Sequence, residues 1–295
     1  MNIGLGAVQF GLDYGISGTR VKTPREEVYQ LLEFAINKGI NELDTAPSYG
    51  ISEHVIGKFV SSYDNQLSWN IVTKTPHFKN ERIGNKQIDE LLLSFELSKK
   101  KLGMDTLYGL LIHNCNNLFL PGGEKLLQTM EQLKKKGSVK KIGVSVYSGE
   151  QVDFILDNYS VDLVQLPVNI LDQRLINGGQ LDRLKSQGVE VHARSVFLQG
   201  LLLMPLNNVS SWFNPIRKVL EEFHVEAKTR NMSALGMALS FVQSIHGVDK
   251  VLVGVNTLEQ LHEIINTKLA IVNVTEFSNL SINNPTFINP SNWKI

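Results

Sequence analysis

Leu107-Tyr108-Gly109-Leu110-Leu111-Ile112-His113 is a short, nearly continuous apolar run. An amphipathic stretch at 123–136 follows it, and then a second apolar run, Lys141-Ile142-Gly143-Val144-Ser145. Continuous apolar strands joined by helix-length segments are the mark of a parallel sheet covered on both faces. The same alternation extends outward from this unit. Upstream, strand-like runs occupy 3–10, 41–45 and 70–74, and downstream they occupy 162–167, 190–197 and 251–255. Helix-like segments between them include 24–38, 52–61, 88–102, 148–158, 180–187, 215–229, 233–245 and 258–267. The first is read with Thr23 as N-cap, Pro24 at the first helical position and Gly39 as the stop. About eight such units suggest closure into a barrel, so the fold class is α/β, a single (β/α)8 TIM barrel. One domain is expected over 1–295, with 268–295 as a C-terminal extension. The alternative is a doubly wound open sheet. Its dinucleotide fingerprint is incomplete, because Gly4-x-Gly6 is followed by Ala7-Val8-Gln9-Phe10-Gly11 with no third glycine in place.

The 295 residues are 42% hydrophobic, ample for one large core. Basic and acidic residues balance at 29 each, so no field of one sign draws in nucleic acid or an anionic membrane. Cys115 is the one cysteine; it forms no internal disulfide and fits a reducing compartment. No run reaches the ~18 apolar residues of a membrane span, and the N-terminus lacks a basic, then apolar, leader. A soluble cytoplasmic protein is expected.

Four residues end or follow successive strand-like runs: Asp44, Tyr49, Lys74 and His113. Parallel neighbouring strands would bring all four to one end of the sheet, where α/β barrels keep their chemistry. A free tyrosine has a pKa of about 10, and a nearby cation eases its proton donation. Lys74 would supply that charge, Asp44 would hold Lys74, and His113 would orient a substrate oxygen. Taken singly, each has a plainer reading: a helix cap, a solvated charge, a hydrogen-bonded structural histidine. Their placement at successive strand ends is what points to carbonyl reduction. The hydride must then come from a cofactor, since no side chain donates one.

Asp44-Thr45-Ala46-x-x-Tyr49-Gly50, followed by Ser52-Glu53-x-x-Ile56-Gly57, closely resembles the signature of the aldo-keto reductases, and Lys74 and His113 fall where that family keeps its Lys and His. The resemblance runs from the first strand to about Thr267. It implies a barrel that binds NADPH or NADH without a Rossmann domain. By that resemblance Tyr49 is the general acid, Lys74 lowers its pKa, Asp44 pairs with Lys74 and His113 orients the carbonyl.

The resemblance also assigns the cofactor site. Ser145 and Gln165 would hold the nicotinamide carboxamide, although Val146 replaces the family's usual Asn. Arg194 stands where an aromatic is expected on the nicotinamide ring; its planar guanidinium can stack there or bind a substrate anion. Ser195, Leu198 and Gly200 are candidates for the pyrophosphate loop. Gly254, Asn256, Thr257 and Gln260 fall on the adenosine stretch. No basic residue occurs from Val251 to Leu261, so weak NADPH preference or NADH acceptance is expected. Backbone amides of a helix N-terminus, helped by Asn256 and Thr257, are the expected phosphate ligands.

Loops at 114–123 and 201–214 and the tail at 279–295 are candidates for the substrate pocket, with Trp212, Phe213, Phe287 and Trp293 as walls. Asn114, Asn116, Asn169, Gln199 and Arg194 suggest a hydroxylated or anionic carbonyl or sugar substrate, in the manner of family members from bacterial sugar and surface-polysaccharide pathways. His54, His77, His192, His224, His246 and His262 show no metal-ligand spacing, and no catalytic metal is expected. Gly143-x-Ser145-x-Tyr147 lacks the second glycine of a hydrolase elbow. A cofactor-binding regulatory or scaffold protein, like the potassium-channel β-subunits of this fold, is the alternative to an enzyme. Nothing in the sequence marks an oligomer surface.

Overall fold

The computed structural model describes residues 2–16, 21–62 and 69–294. Among these, eight parallel strands close into a barrel in sequence order: β1 Ile3–Gly6, β2 Glu42–Asp44, β3 Asn70–Lys74, β4 Leu107–Ile112, β5 Val139–Ser145, β6 Leu163–Pro167, β7 Glu190–Arg194 and β8 Lys250–Gly254. Pairing of β1 with β8 seals it, with Ile3 opposite Val251 and Gly6 opposite Gly254. The fold is the (β/α)8 TIM barrel read from the alternation. The helices are α1 Arg25–Asn37, α2 Ser52–Ser62, α3 Asn85–Leu102, α4 Glu124–Lys135, α5 Gly149–Asn158, α6 Arg174–Asn177, α7 Gln180–Ser186, α8 Arg217–Thr229, α9 Ala234–Gln243, α10 Leu258–Asn266 and α11 Pro285–Ile288.

Each long helix buries one stripe against the barrel. In α4, Leu126, Leu127, Met130 and Leu133 are buried at helical spacing, while Lys134 and Lys135 sit in the last turn, where cations suit the helix dipole. Gly57 lets α2 approach α3 closely, since a Cβ there would lie 1.8 Å from the Lys101 carbonyl oxygen. Val72, Leu111 and Leu163, from β3, β4 and β6, form a small buried cluster of their own, with Tyr108 packed against it.

Several boundaries differ from the pattern, two of them near the start of the chain. The run at 3–10 pairs only to Gly6. Ala7 N donates to Asp44 O, and Val8–Phe10 then turns in a 3₁₀ helix whose carbonyl at Val8 takes Gly11 and Leu12. Thr23 does not cap α1. Its backbone is tied to Gln9 O, its side chain is buried with Oγ1 unpartnered, and extended Pro24 occupies the cap position.

The chain beyond α10 covers the outside of α9, which is buried over eight consecutive residues from Leu235 to Val242. Ala270 N donates to Ser240 Oγ and Val272 N to Ser244 Oγ, both at 3.0 Å. Further on, Ile282 N reaches Leu171 O at 2.8 Å. The final residue of the expected extension, Ile295, lies outside the described residues. Among the described residues no helix is long and apolar enough to cross a membrane.

Candidate active site

The carboxyl ends of the eight strands each bring one residue to the same mouth of the barrel. They are Gly6, Asp44, Lys74, His113, Ser145, Gln165, Arg194 and Gly254, with His113 one residue past β4. All but Lys74 line a cleft of about 1020 Å³. Lys74 lies beneath it, fully enclosed. Its Nζ donates to Asp44 Oδ1 at 2.6 Å and to Thr45 O at 2.9 Å. Burial pushes the Lys74 pKa down, and Asp44 pulls it back. Asp44 Oδ1 also accepts from Gln165 Nε2 at 2.7 Å. Three of the expected site residues, from β2, β3 and β6, are thus joined through one oxygen.

Tyr49 follows β2 on a turn closed by Tyr49 N to Ala46 O. Gly11 makes room for it, since a Cβ there would lie 1.8 Å from the Tyr49 carbonyl oxygen. Lys74 Nζ sits 4.9 Å from the Tyr49 ring centre. The His113 ring meets the Tyr49 ring edge-on at 5.9 Å. The expected lowering of the Tyr49 pKa by Lys74 is not what this geometry produces. Burial raises it well above 10, Asp44 raises it further, and Arg194 opposes. Burial of the phenol is the largest cause, and the Asp44 carboxylate adds to it. The phenol is held protonated, the form a proton donor needs.

His113 N donates to Thr75 Oγ1 at 3.2 Å, and its ring lies against His77 at 4.0 Å. Burial, then the charges of Lys74, His77 and Arg194, push its pKa down to about 2. It is a neutral imidazole with a buried, unpartnered Nδ1.

Arg194 Nη2 donates to Val146 O at 3.0 Å and Nη1 to Ser195 Oγ at 3.3 Å, and its guanidinium lies 4.1 Å from the Tyr147 ring centre. None of these contacts is a carboxylate, so its charge stays available to the cleft. Past β7 the backbone is left-handed at Ser195 (φ 61), Leu198 (φ 46), Gln199 (φ 53) and Gly200 (φ 95). Each non-glycine residue in that region costs about 1–3 kcal/mol, a strain that collects at binding sites. Ser195, Gln199 and Gly200 face the cleft, whereas Leu198 is buried in the core.

At the β8 side, Gly254, Asn256 and Gln260 line the cleft. Thr257 does not; its Oγ1 caps α10 by accepting from Gln260 N. Of the α10 first-turn amides expected to face a phosphate, those of Leu258 and Gln260 are taken up within the chain. Leu258 N is bonded to Glu27 Oε1, Gln260 N to Thr257 Oγ1 and Asn256 N to Gln260 Oε1.

The substrate-side expectations fare unevenly. Leu203, Met204, Pro205 and Asn208 from the 201–214 loop line the cleft. Trp212, Phe213, Phe287 and Trp293 do not. Phe213 packs edge-on against Trp293 at 5.0 Å, and Trp293 Nε1 bonds Phe287 O. Asn114, Asn116 and Asn169 are spent on structure: Asn114 Oδ1 takes Asn116 N, Asn116 Oδ1 takes Gln151 Nε2, and Asn169 ties its own turn to Ser195 O. Cys115 is buried, and that burial pushes its thiol up to about 12. Among the described residues no cluster of three His, Cys, Asp or Glu is placed to hold a metal. Tyr14, Tyr147, Gln9 and Glu263 line the cleft and were missed by sequence reasoning. Tyr147 alone carried a signal, as the aromatic two residues past Ser145.

A closed (β/α)8 barrel thus gathers Asp44, Tyr49, Lys74 and His113 at its carboxyl mouth, with Asp44, Tyr49 and His113 lining one cleft. The Aldo/keto reductase family model matches residues 2–279, and the chain belongs to that family. It is 28% identical over 178 residues to the aldo-keto reductase YhdN of Bacillus subtilis, covering 58% of this chain and 53% of YhdN. It is 30% identical over 128 residues to the D-arabinose 1-dehydrogenase of Saccharomyces cerevisiae, covering 42% and 37%. The aligned stretch therefore spans about half or less of these two relatives. Among solved structures, the holo form of the aldo-keto reductase AKR11C1 from Bacillus halodurans superposes with TM-score 0.76 at 17% identity, covering 96% of this chain and 93% of that one. The glycerol dehydrogenase AKR11B4 of Gluconobacter oxydans gives 0.71 at 20%, covering 98% and 92%.

Proposed function

We propose that this protein reduces an aldehyde, ketone or keto-sugar with a nicotinamide dinucleotide, using Tyr49 as general acid. The observation that carries the reading is the buried Lys74–Asp44–Gln165 chain beneath a protonated Tyr49 and a neutral His113. The cleft fits the cofactor, since it runs from this group to the β8 side and holds unpartnered acceptors at Gln9 Oε1 and Asn256 Oδ1. Ser145 and Gln165 would hold the carboxamide, Arg194 the ring, Ser195 and Gly200 the pyrophosphate, and Asn256 with Gln260 the adenosine. The bound dinucleotide supplies the hydride.

The chain's own groups do the rest. Neutral His113 donates a hydrogen bond to the carbonyl oxygen and fixes its direction. Tyr49 gives that oxygen its proton as charge develops there. Asp44 keeps Lys74 charged in a buried place, and Lys74 sits against the ring that must be left anionic after the transfer. Arg194 adds positive charge on the same side, which favours both the developing oxyanion and an acidic substrate group. Polar Gln199 and the Tyr14 hydroxyl it bonds suit a hydroxylated substrate. Glycerol and arabinose dehydrogenases among the relatives support the same substrate class.

The deciding test is Tyr49→Phe. It should lower reduction by about 10²–10⁴-fold, the usual share of general acid catalysis, while dinucleotide binding is kept. Carbonyl reduction at the wild-type rate by this variant would sink the mechanism.

A further inference from the structure

The chain leaving β3 is pinned at two points to the β4 side of the barrel mouth. Thr75 N donates to Leu111 O at 2.8 Å, and Thr75 Oγ1 accepts from His113 N at 3.2 Å. Further on, Phe78 is buried and its carbonyl accepts from Asn117 Nδ2 at 2.9 Å. Pro76 stiffens the stretch between these ties, because its ring fixes φ. His77 is thereby laid against the His113 ring, with centres 4.0 Å apart and planes tilted by 40°. The Tyr49 ring meets the same imidazole edge-on, at 5.9 Å and 83°. Which nitrogen of a histidine carries the proton is ordinarily set by a hydrogen bond to the other. At His113 that hold is missing, since Nδ1 is buried with no partner among the described residues. Ring packing is what remains to fix the imidazole. The two rings tolerate each other because both are neutral at neutral pH. Burial, then the charges of Lys79 and Lys74, push the His77 pKa below its ordinary value, and His113 is pushed down to about 2. His77 is exposed and does not line the cleft, so its effect on the reaction passes through His113, which does.

We infer that His77 is a positioning residue for the proposed reduction: its ring contact fixes the direction in which His113 presents an N–H to the carbonyl oxygen. A hydrogen bond weakens steeply as its angle departs from linear, and a misplacement of about 1 Å in a reacting geometry costs up to about 10²-fold in rate. The contact acts by shape, not by charge or proton transfer. A flat ring of similar size can therefore replace His77, and a methyl group cannot. This rests on the reductase reading above and adds to it a residue outside the cleft that holds one inside it.

The test combines turnover with a readout that does not need it. His77→Ala should lower kcat by about tenfold or more, with dinucleotide affinity changed by less than about twofold. His77→Phe should recover most of the rate, whereas His77→Asn, polar but without a ring, should not. On a His113→Gln background, His77→Ala should cost nothing more, because the group it positions is already gone. In imidazole NMR spectra, with the His113 signal assigned by its loss in His113→Gln, the wild type should show a single neutral tautomer and His77→Ala an average of two. Additive losses in the double variant overturn the inference and leave the proposed reductase standing. So do a rate that Phe does not recover and a His113 signal unchanged by His77→Ala. Reduction of no carbonyl by the wild type overturns both, and a fixed His113 signal would then mark a packing contact only. If His77→Ala does not fold, His77→Asn against His77→Phe decides alone.

Discussion

Asp44 Oδ1 accepts from both Lys74 and Gln165, so one atom ties β2, β3 and β6 together at the mouth of the barrel. Removing this carboxylate leaves an uncompensated ammonium in the barrel. Asp44→Ala should therefore destabilise the fold by about 3–5 kcal/mol, read from urea unfolding, as well as abolish turnover. His113 sets a pH expectation. Its pKa is depressed to about 2, so it stays neutral throughout the working range and contributes no acid limb between pH 5 and 8. A limb near pH 6.5 that disappears in His113→Gln would contradict this. The stability sign follows from the same shift. The unfolded imidazole binds a proton below about 6.5 and the folded one does not, so stability is full above that pH and is lost as pH falls toward 2. Arg194 completes the residue scale. With no carboxylate among its contacts, Arg194→Gln should raise KM for acidic substrates by about tenfold or more and neutral ones less, as expected for loss of a charge-assisted bond.

At the scale of elements, α9 is the informative helix. Apolar over most of its length, it is buried on the barrel side and again under the chain that follows α10. Phe241 is fully buried there and meets Phe277 of the extension edge-on at 5.8 Å. Phe241→Ala should cost about 3–5 kcal/mol in denaturant unfolding, the range for deleting a buried aromatic ring. The β7 loop shows the opposite economy. Its left-handed residues at Ser195, Leu198 and Gln199 are held against local preference, and they put Ser195, Gln199 and Gly200 on the cleft. The pattern of apolar runs placed β7 correctly but extended it to 197. Nothing in a local run announces that the backbone will turn left-handed at Ser195.

For the whole molecule, the end of the barrel away from the cleft carries a second buried ionic group. Glu42 is fully enclosed, with Lys250 Nζ at 3.8 Å, and burial raises its pKa despite help from His192 and Lys250. Glu190, bonded to His192, Lys141 and Tyr108, is instead pulled down to about 2. The two act in opposite senses. Glu42 withdraws stability as pH rises above its unfolded value near 4.5, whereas Glu190 adds stability above that pH and loses it on acidification. Glu42→Gln should therefore stabilise the protein more at pH 8 than at pH 4.5 in parallel thermal melts. A gain independent of pH would show that the charge is not the cause.

How much of this was legible divides along the range of the forces. Strand and helix alternation depends on neighbours within a few residues, so the chain by itself determined the barrel and the strand ends bearing Asp44, Lys74 and His113. The signature around Tyr49 gave the family by the same local route. What only the tertiary structure decided is which groups meet once the barrel closes. Glu27 reaches Leu258 across 231 positions of sequence, Gln165 reaches Asp44 across 121, and Gln199 reaches Tyr14 across 185. Burial raised the Tyr49 pKa instead of lowering it, chain groups took up the Leu258 and Gln260 amides, and Phe213 packed against Trp293 outside the cleft. Periodicity is a property of the local chain. Charge pairing and burial are properties of space, and they exist only after eight strands have brought distant residues to the same rim.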